Sequence, residues 1–192
     1  MSALFLDGGP ELVVLTDTDP YYREALQQRF AGRQDVVVEE LTLPDYTAGN
    51  RFHEFGLDTV VALNVIEHIA NDVEALRCIR NMLRPRGRAV VLVPALERLF
   101  GSLDNALGHQ RRYTRRSIAD RMRQAGFRVE RVFYFNLVGT LGWWINARIR
   151  RVQRIPLAQL RYFDRLVPML RIEDLIRLPL GQSVIAVGAV DG

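Results

Sequence analysis

Cysteine and lysine are the scarcest residue types in this 192-residue chain. One cysteine is present, Cys78, and all 26 basic residues are arginine. A single cysteine cannot form an internal disulfide, which excludes a disulfide-stapled fold and indicates a reducing compartment. Cys78 lies within a helical pattern and has no neighbour that would lower the pKa of its thiol. We therefore expect it to pack in the core rather than to act as a nucleophile.

Several functional signatures are also absent. No basic N-terminal segment precedes an apolar core, so no secretory signal is expected and we predict a cytoplasmic protein. The most membrane-like stretch, residues 135–149, is too short and too polar to span a bilayer. His53, His68 and His109 are scattered without the spacing of zinc ligands, so no metal site is predicted. Neither a nucleophile elbow nor a phosphate-binding loop is found.

The composition is that of one globular domain. Hydrophobic residues make up 48% of the chain and charged residues 25%, and the length is sufficient to bury a core. The formal net charge of +4 permits an anionic partner, but charge alone bears on solubility and steering. Because no recognisable nucleic-acid-binding motif accompanies the charge, we expect no DNA partner and rank RNA low.

Short apolar runs alternate with amphipathic helical patterns along most of the chain. Strands are predicted at residues 12–15, 36–38, 57–63, 89–93, 129–135 and 184–190. Three helices are predicted. The first begins at Pro20 and has the apolar face Tyr22, Leu26 and Phe30. The second is capped by Asn71 or Asp72, with Val73, Leu76, Ile79 and Leu83 on its apolar face, and the third is capped by Thr114, with Ile118, Met122 and Ala125. This alternation indicates an α/β fold with a mostly parallel sheet covered by helices on both faces.

Residues 137–180 break the alternation. They are rich in arginine and large apolar residues, and we predict a helical insertion before the last strand of a single domain spanning 1–192. Within this insertion, residues 141–151 combine tryptophan with arginine, as interfacial helices do, so a peripheral membrane contact is one interpretation, although a pocket cover is favoured. This cover would lie over an acceptor pocket, packed on the sheet.

Asp17 is the first candidate for binding chemistry, because it follows the first predicted strand. Ligands of open parallel sheets bind outside the carboxyl ends of the strands. In a nucleoside-binding fold, an acidic residue at that place can accept hydrogen bonds from both ribose hydroxyls. The alternative is that Asp17 forms a turn with Asp19 and Pro20, as aspartate commonly does. The spacing leaves both interpretations open.

Five blocks of the sequence, in order, resemble the class I S-adenosylmethionine-dependent methyltransferase family of the small-molecule type. The most specific block is LDTVVALNVIEHI at residues 57–69, which is similar to the family's fourth-strand motif. The second-strand block of the family is resembled by TDTDPYYREAL, and the third-strand block by VVVEELTLPD. The family's next helix and fifth strand are resembled by LRCIRNMLRPRGRAVVLVP. The segment leading to its sixth strand is resembled by GHQRRYTRRSIADRMRQAGFRVERV. The resemblance implies a Rossmann-like fold and S-adenosylmethionine as cofactor.

The resemblance also implies roles for individual residues on the cofactor side. Asp17 would hold the ribose, with Thr18 beside it near the adenine. Glu40, or Glu39 instead, would meet the adenine amino group, and Leu41 would supply the adjoining backbone amide. Asn64 would lie under the methionine end of the cofactor. A solvated strand end is the alternative for Glu40.

On the acceptor side, the resemblance places His68 near the reacting methyl group, as a substrate-side residue or a general base. The alternative is that Glu67 and His68 begin a helix and have no chemical task. His109, Arg111, Arg112 and Tyr113 follow in a connection that commonly covers the acceptor pocket, where arginine suits a carboxylate or phosphate. Hydrogen bonding of the arginine and tyrosine side chains to loop carbonyls is the structural alternative.

The sequence departs from the family at its start. The first strand of the family lies between the second and fourth and ends in a glycine-rich turn close to the cofactor. Here 11 residues precede Leu12, and their only glycine cluster, Asp7-Gly8-Gly9-Pro10, abuts the Asp17 strand without room for a helix between. We therefore expect residues 4–6 to be the tail of the first helix and Gly8-Gly9-Pro10 the turn after it, although residues 3–6 could instead be the first strand. The first strand and glycine-rich loop would then be missing.

Three explanations of this departure are considered: an N-terminal truncation, a strand supplied by a partner chain, or a degenerate, inactive relative. Truncation is favoured, because Asp17, the fourth-strand block and the closing strand look intact. The leading functional hypothesis is methyl transfer from S-adenosylmethionine to a small-molecule or lipid-linked acceptor. The alternative is a non-catalytic partner or scaffold that no longer binds the cofactor, and RNA methylation ranks lower. The acceptor and the oligomeric state do not follow from the sequence.

Overall fold

The computed structural model of this protein describes Leu6, residues 8–136 and residues 180–192. The described strands are β1 (Val13–Asp17), β2 (Val36–Glu40), β3 (Thr59–Leu63), β4 (Arg88–Pro94), β5 (Arg128–Phe135) and β6 (Ser183–Ala189). The described helices are α1 (Pro20–Arg29), α2 (Ala48–His53), α3 (Asp72–Met82), α4 (Ser102–Leu107) and α5 (Arg115–Gln124), with 3₁₀ turns at Ile66–His68 and Glu97–Leu99. The predicted strands and longer helices are confirmed, whereas α2 and α4 were not predicted because they are too short to show a helical period.

The described strands form two sheets. Strands β1 and β2 pair in parallel, with Asp17 opposite Glu40. The second sheet has the order β3-β4-β6-β5, in which β3 and β4 are parallel and β6 runs antiparallel to both of its neighbours. No ladder joins β1 to β3 in the described part of the chain. The division falls between β1 and β3. By the resemblance described above, these correspond to the second and fourth strands of the family, which flank the family's first strand.

The core lies between the four-stranded sheet and helices α3 and α5. The predicted apolar faces are buried there, as Leu76, Ile79, Ile118 and Met122 show. Both predicted caps form: the Asn71 side chain accepts from the Glu74 amide, and the Thr114 hydroxyl accepts from the Ser117 amide. Each cap satisfies an amide that has no partner within its helix, which contributes about 1 kcal/mol.

Cys78 belongs to this core and is 3% exposed. Burial raises the pKa of its thiol above the ordinary value, so the thiolate is disfavoured. The prediction that Cys78 packs rather than reacts agrees with both observations.

The predicted burial of β1 and α1 is wrong. Every residue of β1 retains some exposure, and α1 has no buried residue. Tyr22, expected on the apolar face of α1, is 56% exposed. The physical reason is that β1 pairs only with β2 in the described chain, so the sheet beneath α1 is too narrow to bury that face.

The N-terminal turn agrees with the helix-tail interpretation where it can be seen. Leu6 is helical, and its carbonyl accepts a hydrogen bond from the Gly9 amide at 3.1 Å. Gly9 has a φ of +65°, which glycine adopts without steric penalty. Residues 1–5, most of the predicted insertion at 137–180 and the predicted membrane segment at 141–151 lie outside the described residues. Among the helices described, none combines the length and apolarity needed to cross a bilayer.

Candidate active site

A cavity of about 370 Å³ opens at the carboxyl ends of β1 and β3. Five predicted site residues line it: Asp17, Thr18, Leu41, Asn64 and His68. The remaining lining residues are largely apolar: Thr16, Thr42, Leu43, Val60, Val61, Ala62, Val65, Ile69 and Ile79. The fold therefore brings the exits of three different strands to one cleft, with carboxylate and histidine groups on a mainly apolar surface.

Asp17 both lines the cleft and shapes its rim. Its Oδ1 accepts from the Asp19 amide at 2.9 Å, so the turn proposed as the alternative is present. Arg23 stabilises the same turn by donating to the carbonyls of Thr18 at 2.8 Å and Asp17 at 3.2 Å. Since the turn uses Oδ1, and no donor from the described residues reaches Oδ2, the two interpretations of Asp17 are compatible.

Glu40 lies at the edge of the cleft rather than in its lining. Its side chain is 61% exposed and forms an ion pair with Arg23 at 2.9 Å. Glu39 lies opposite Thr16 in the ladder, one residue further from the strand end. Of the two candidate acids, Glu40 is therefore the one beside Asp17, but its carboxylate already has a cationic partner.

Asn64 turns the chain out of β3 toward His68. Its φ is +53°, a left-handed conformation that asparagine tolerates better than most residues. Its amide donates to the Leu92 carbonyl at 2.9 Å, which holds the strand exit against β4. This backbone bend brings residues 64–69 back along the cleft.

The 3₁₀ turn after Asn64 gives its two neighbouring residues Glu67 and His68 opposite environments, one buried and one exposed. His68 is exposed, and its ring contacts that of His109 edge-to-face at a centroid distance of 4.9 Å. Glu67 is fully buried, and neither of its carboxylate oxygens has a hydrogen-bond partner within the described chain. Burial raises the pKa of Glu67 to about 7, against the smaller opposing effects of its own backbone amide and the Arg112 charge.

A buried carboxylate, Asp104, links His109 to Arg112. Asp104 Oδ1 accepts from His109 Nδ1 at 2.9 Å and from Arg112 Nε at 2.7 Å. Arg112 also donates to the Ala95 carbonyl at 3.0 Å and is 5% exposed. Desolvation lowers the pKa of Arg112, although Asp104 opposes the change. The hydrogen bond from Arg112 to the Ala95 carbonyl is the contact expected if this arginine has a structural role rather than a substrate-binding one.

A second buried carboxylate, Asp72, binds the other polar residues of this connection. Tyr113 is 1% exposed and donates to Asp72 Oδ2 at 2.9 Å. Arg111 and Arg121 form ion pairs with Asp72 at 2.7 and 2.8 Å. Burial, followed by the Asp72 charge, raises the pKa of Tyr113 well above its usual range.

These contacts divide the predicted substrate cluster. Arg112 and Tyr113 border a separate cavity of about 420 Å³, but both side chains hydrogen-bond buried carboxylates. His109 instead lies beside His68. Sequence reasoning did not identify the buried partners Asp72 and Asp104 or the burial of Glu67, because acidic residues in helix starts and turns are ordinarily exposed. The substrate role of His109, Arg112 and Tyr113 stays a prediction.

Comparison with known proteins relates the fold to that of methyltransferases. Residues 3–89 match the family model of a methyltransferase domain. A search of functionally curated proteins found no significant match. Among solved structures, the methyltransferase described in complex with the Trm112 activator of Haloferax volcanii has a TM-score of 0.62 at 16% identity, covering 100% of this chain and 77% of that one.

Two other structures extend the comparison. CalH, described as a trans-methyltransferase in complex with SAH, gives a TM-score of 0.56 at 18% identity, with coverage of 93% of this chain and 42% of CalH. An S-adenosylmethionine-dependent methyltransferase from Mesorhizobium loti gives a TM-score of 0.58 at 13% identity, and the match covers 98% of this chain and 84% of that one. Identities this low show the fold alone. Residues 3–89 therefore resemble a methyltransferase domain, and the chain shares the fold of S-adenosylmethionine-dependent methyltransferases.

Proposed function

We propose that this protein transfers the methyl group of S-adenosylmethionine to a small-molecule or lipid-linked acceptor bound beside His68. The observation that supports the proposal is the single cleft shared by Asp17, Leu41, Asn64 and His68, which come from the exits of three strands. Convergence of strand exits on one cleft is the usual arrangement for ligand binding in open α/β sheets.

The cleft suits a nucleoside cofactor in size and chemistry. Its volume of about 370 Å³ falls within the usual range of small-molecule sites. Asp17 offers a carboxylate oxygen for ribose hydroxyls, while Leu41, Leu43 and Ile79 provide apolar surface for a purine ring. When bound, S-adenosylmethionine supplies an electrophilic methyl group on a positively charged sulfur.

The protein's own part in the reaction is to orient the acceptor and take its proton. His68 Nδ1 lies 3.3 Å from the Gly108 carbonyl oxygen, which can only accept, so this contact favours the tautomer with hydrogen on Nδ1. Nε2 then carries the lone pair and can accept a proton from a hydroxyl or amine acceptor. Holding the acceptor in line with the methyl group supplies much of the acceleration.

Calorimetric titration with S-adenosylmethionine tests the cofactor part of the proposal, with Asp17→Asn as the variant. Asparagine retains an acceptor oxygen for the Asp19 amide, so the turn survives and only the carboxylate charge is lost. Charge-assisted hydrogen bonds contribute about 1.5–3 kcal/mol, so we expect affinity to fall about 10- to 100-fold. The matched control is Asp58→Asn, whose side chain is 65% exposed and outside the cleft.

The non-catalytic scaffold is the second candidate, favoured by the division of the sheet between β1 and β3. The same titration separates the two. Micromolar binding by the wild type that Asp17→Asn weakens supports the enzyme, whereas no binding at millimolar cofactor contradicts it. Transfer of labelled methyl groups to small hydroxylated or aminated acceptors, added free or in lipid vesicles, then tests the acceptor class.

A further inference from the structure

Glu67, His68 and His109 form a cluster of potential metal ligands beside the cleft. One carboxylate oxygen of Glu67 and one ring nitrogen of each histidine all lie within 4.8 Å of one another. Glu67 and His68 belong to the 3₁₀ turn after β3, whereas His109 follows α4, so only the fold brings them together. Two imidazoles and one carboxylate are a donor set that divalent transition metals accept.

Both histidines have a contact from Nδ1 to an oxygen atom, as metal-binding histidines usually have on the nitrogen that does not bind the metal. His109 Nδ1 donates to Asp104 Oδ1 at 2.9 Å, and Asp104 is held in turn by Arg112 at 2.7 Å. His68 Nδ1 lies 3.3 Å from the Gly108 carbonyl oxygen. A hydrogen on Nδ1 of each ring leaves the Nε2 lone pair available, and such outer contacts fix the ring and raise its basicity as a ligand.

Glu67 provides the second, independent observation. It is fully buried, and within the part of the chain that the structure describes neither oxygen receives a hydrogen bond. A buried carboxyl group whose oxygens receive no hydrogen bond is costly, even with the Arg112 charge nearby, and calls for an explanation such as an ion. An ion shared with His68 and His109, whose ring nitrogens lie within 4.8 Å of a Glu67 oxygen, would supply that partner.

We propose that Glu67, His68 and His109 bind one divalent transition-metal ion, with Zn²⁺ as the representative species. Bond lengths near 2.0–2.1 Å place the donor atoms of a tetrahedral site about 3.4 Å apart, and the present separations of up to 4.8 Å allow that spacing after a small adjustment. His68 is exposed and can turn to make this adjustment. Three protein ligands would leave a position for water or substrate, and one of these ligands, His68, lines the cleft.

With the ion bound, His68 no longer has a lone pair for a proton. A hydroxyl acceptor bound to the ion would instead release its proton to solvent more readily, because a bound metal lowers the pKa of a coordinated oxygen. The ion-binding proposal itself does not depend on methyl transfer and is tested without the cofactor.

The test uses protein freed of metal by a chelator and then titrated with Zn²⁺ by calorimetry and with Co²⁺ by visible absorption. We expect one ion per chain with a micromolar or tighter Kd, and Co²⁺ bands typical of a four- or five-coordinate site. His68→Ala and His109→Ala should each weaken Zn²⁺ binding at least 10-fold. The matched control, His53→Ala, removes an exposed histidine from α2 and should leave the affinity unchanged.

His68→Ala is the decisive variant, because an exposed side chain can be removed without unfolding the core. Glu67→Gln adds a second: it keeps the shape of the side chain but loses the charge, and should weaken Zn²⁺ binding while its Tm in chelator is not lowered. A wild-type Kd above 1 mM, or equal Zn²⁺ affinities for the wild type and His68→Ala, would overturn the proposal. A separate titration with S-adenosylmethionine reports on the proposed function independently.

Discussion

The hydroxyl of Tyr113 donates a hydrogen bond to Asp72 Oδ2 at 2.9 Å, across 41 residues of sequence. Both side chains are buried, and Asp72 lies at the first turn of α3. There the carboxylate is stabilised by the helix N-terminus and by the ion pairs with Arg111 and Arg121. This contact ties the connection after β4 to the start of α3.

Tyr113→Phe should lower stability without changing cofactor affinity. The substitution removes the hydroxyl while two arginines still neutralise Asp72, so we expect the free energy of unfolding to fall by about 1–2 kcal/mol. Urea unfolding measures the loss, and titration with S-adenosylmethionine should show a Kd within twofold of the wild type. Unchanged stability combined with loss of acceptor binding would instead support the substrate role predicted from the sequence.

Asp104→Asn should be more damaging, because Asp104 is the anionic partner of a buried guanidinium. Removing its charge leaves Arg112 buried without that compensation, and we expect a loss of about 3–5 kcal/mol in urea unfolding. The control is Asp120→Asn, which breaks an ion pair with Arg123 between half-exposed side chains and should change stability by less than about 1 kcal/mol. Equal losses in the two variants would contradict the assigned role of Asp104.

Cys78 should react with a thiol reagent only when the protein unfolds. Burial raises the pKa of its thiol, so at pH 8 the folded protein holds the unreactive, protonated form. Raising the pH through the ordinary thiol pKa favours the unfolded state, in which the thiolate forms more readily. Absorbance from an aromatic disulfide reagent should therefore rise slowly in buffer and quickly in urea. Rapid labelling of the folded protein would show that the Cys78 site opens.

The local order of this protein was determined by its sequence. The asparagine and threonine caps, the apolar faces of α3 and α5, and the positions of the strands along the chain all follow from local sequence, which periodicity and capping chemistry report directly. The same holds for the turn at Asp17, whose side chain bonds an amide two residues on. The placement of Asp17 and Asn64 at strand ends likewise followed from the motif and the strand pattern.

Only the tertiary structure decided which groups meet and which are buried. β1 has the composition of a buried strand, but its burial depends on the strands beside it, and it pairs only with β2 in the described chain. Glu67 and His68 are adjacent in sequence, yet one is buried and the other exposed. His109 approaches them because the connection after β4 folds back, held by a hydrogen bond from the Gln110 amide to the Glu67 carbonyl at 2.7 Å. Such contacts join distant residues through the packing of whole elements, and no local pattern encodes them.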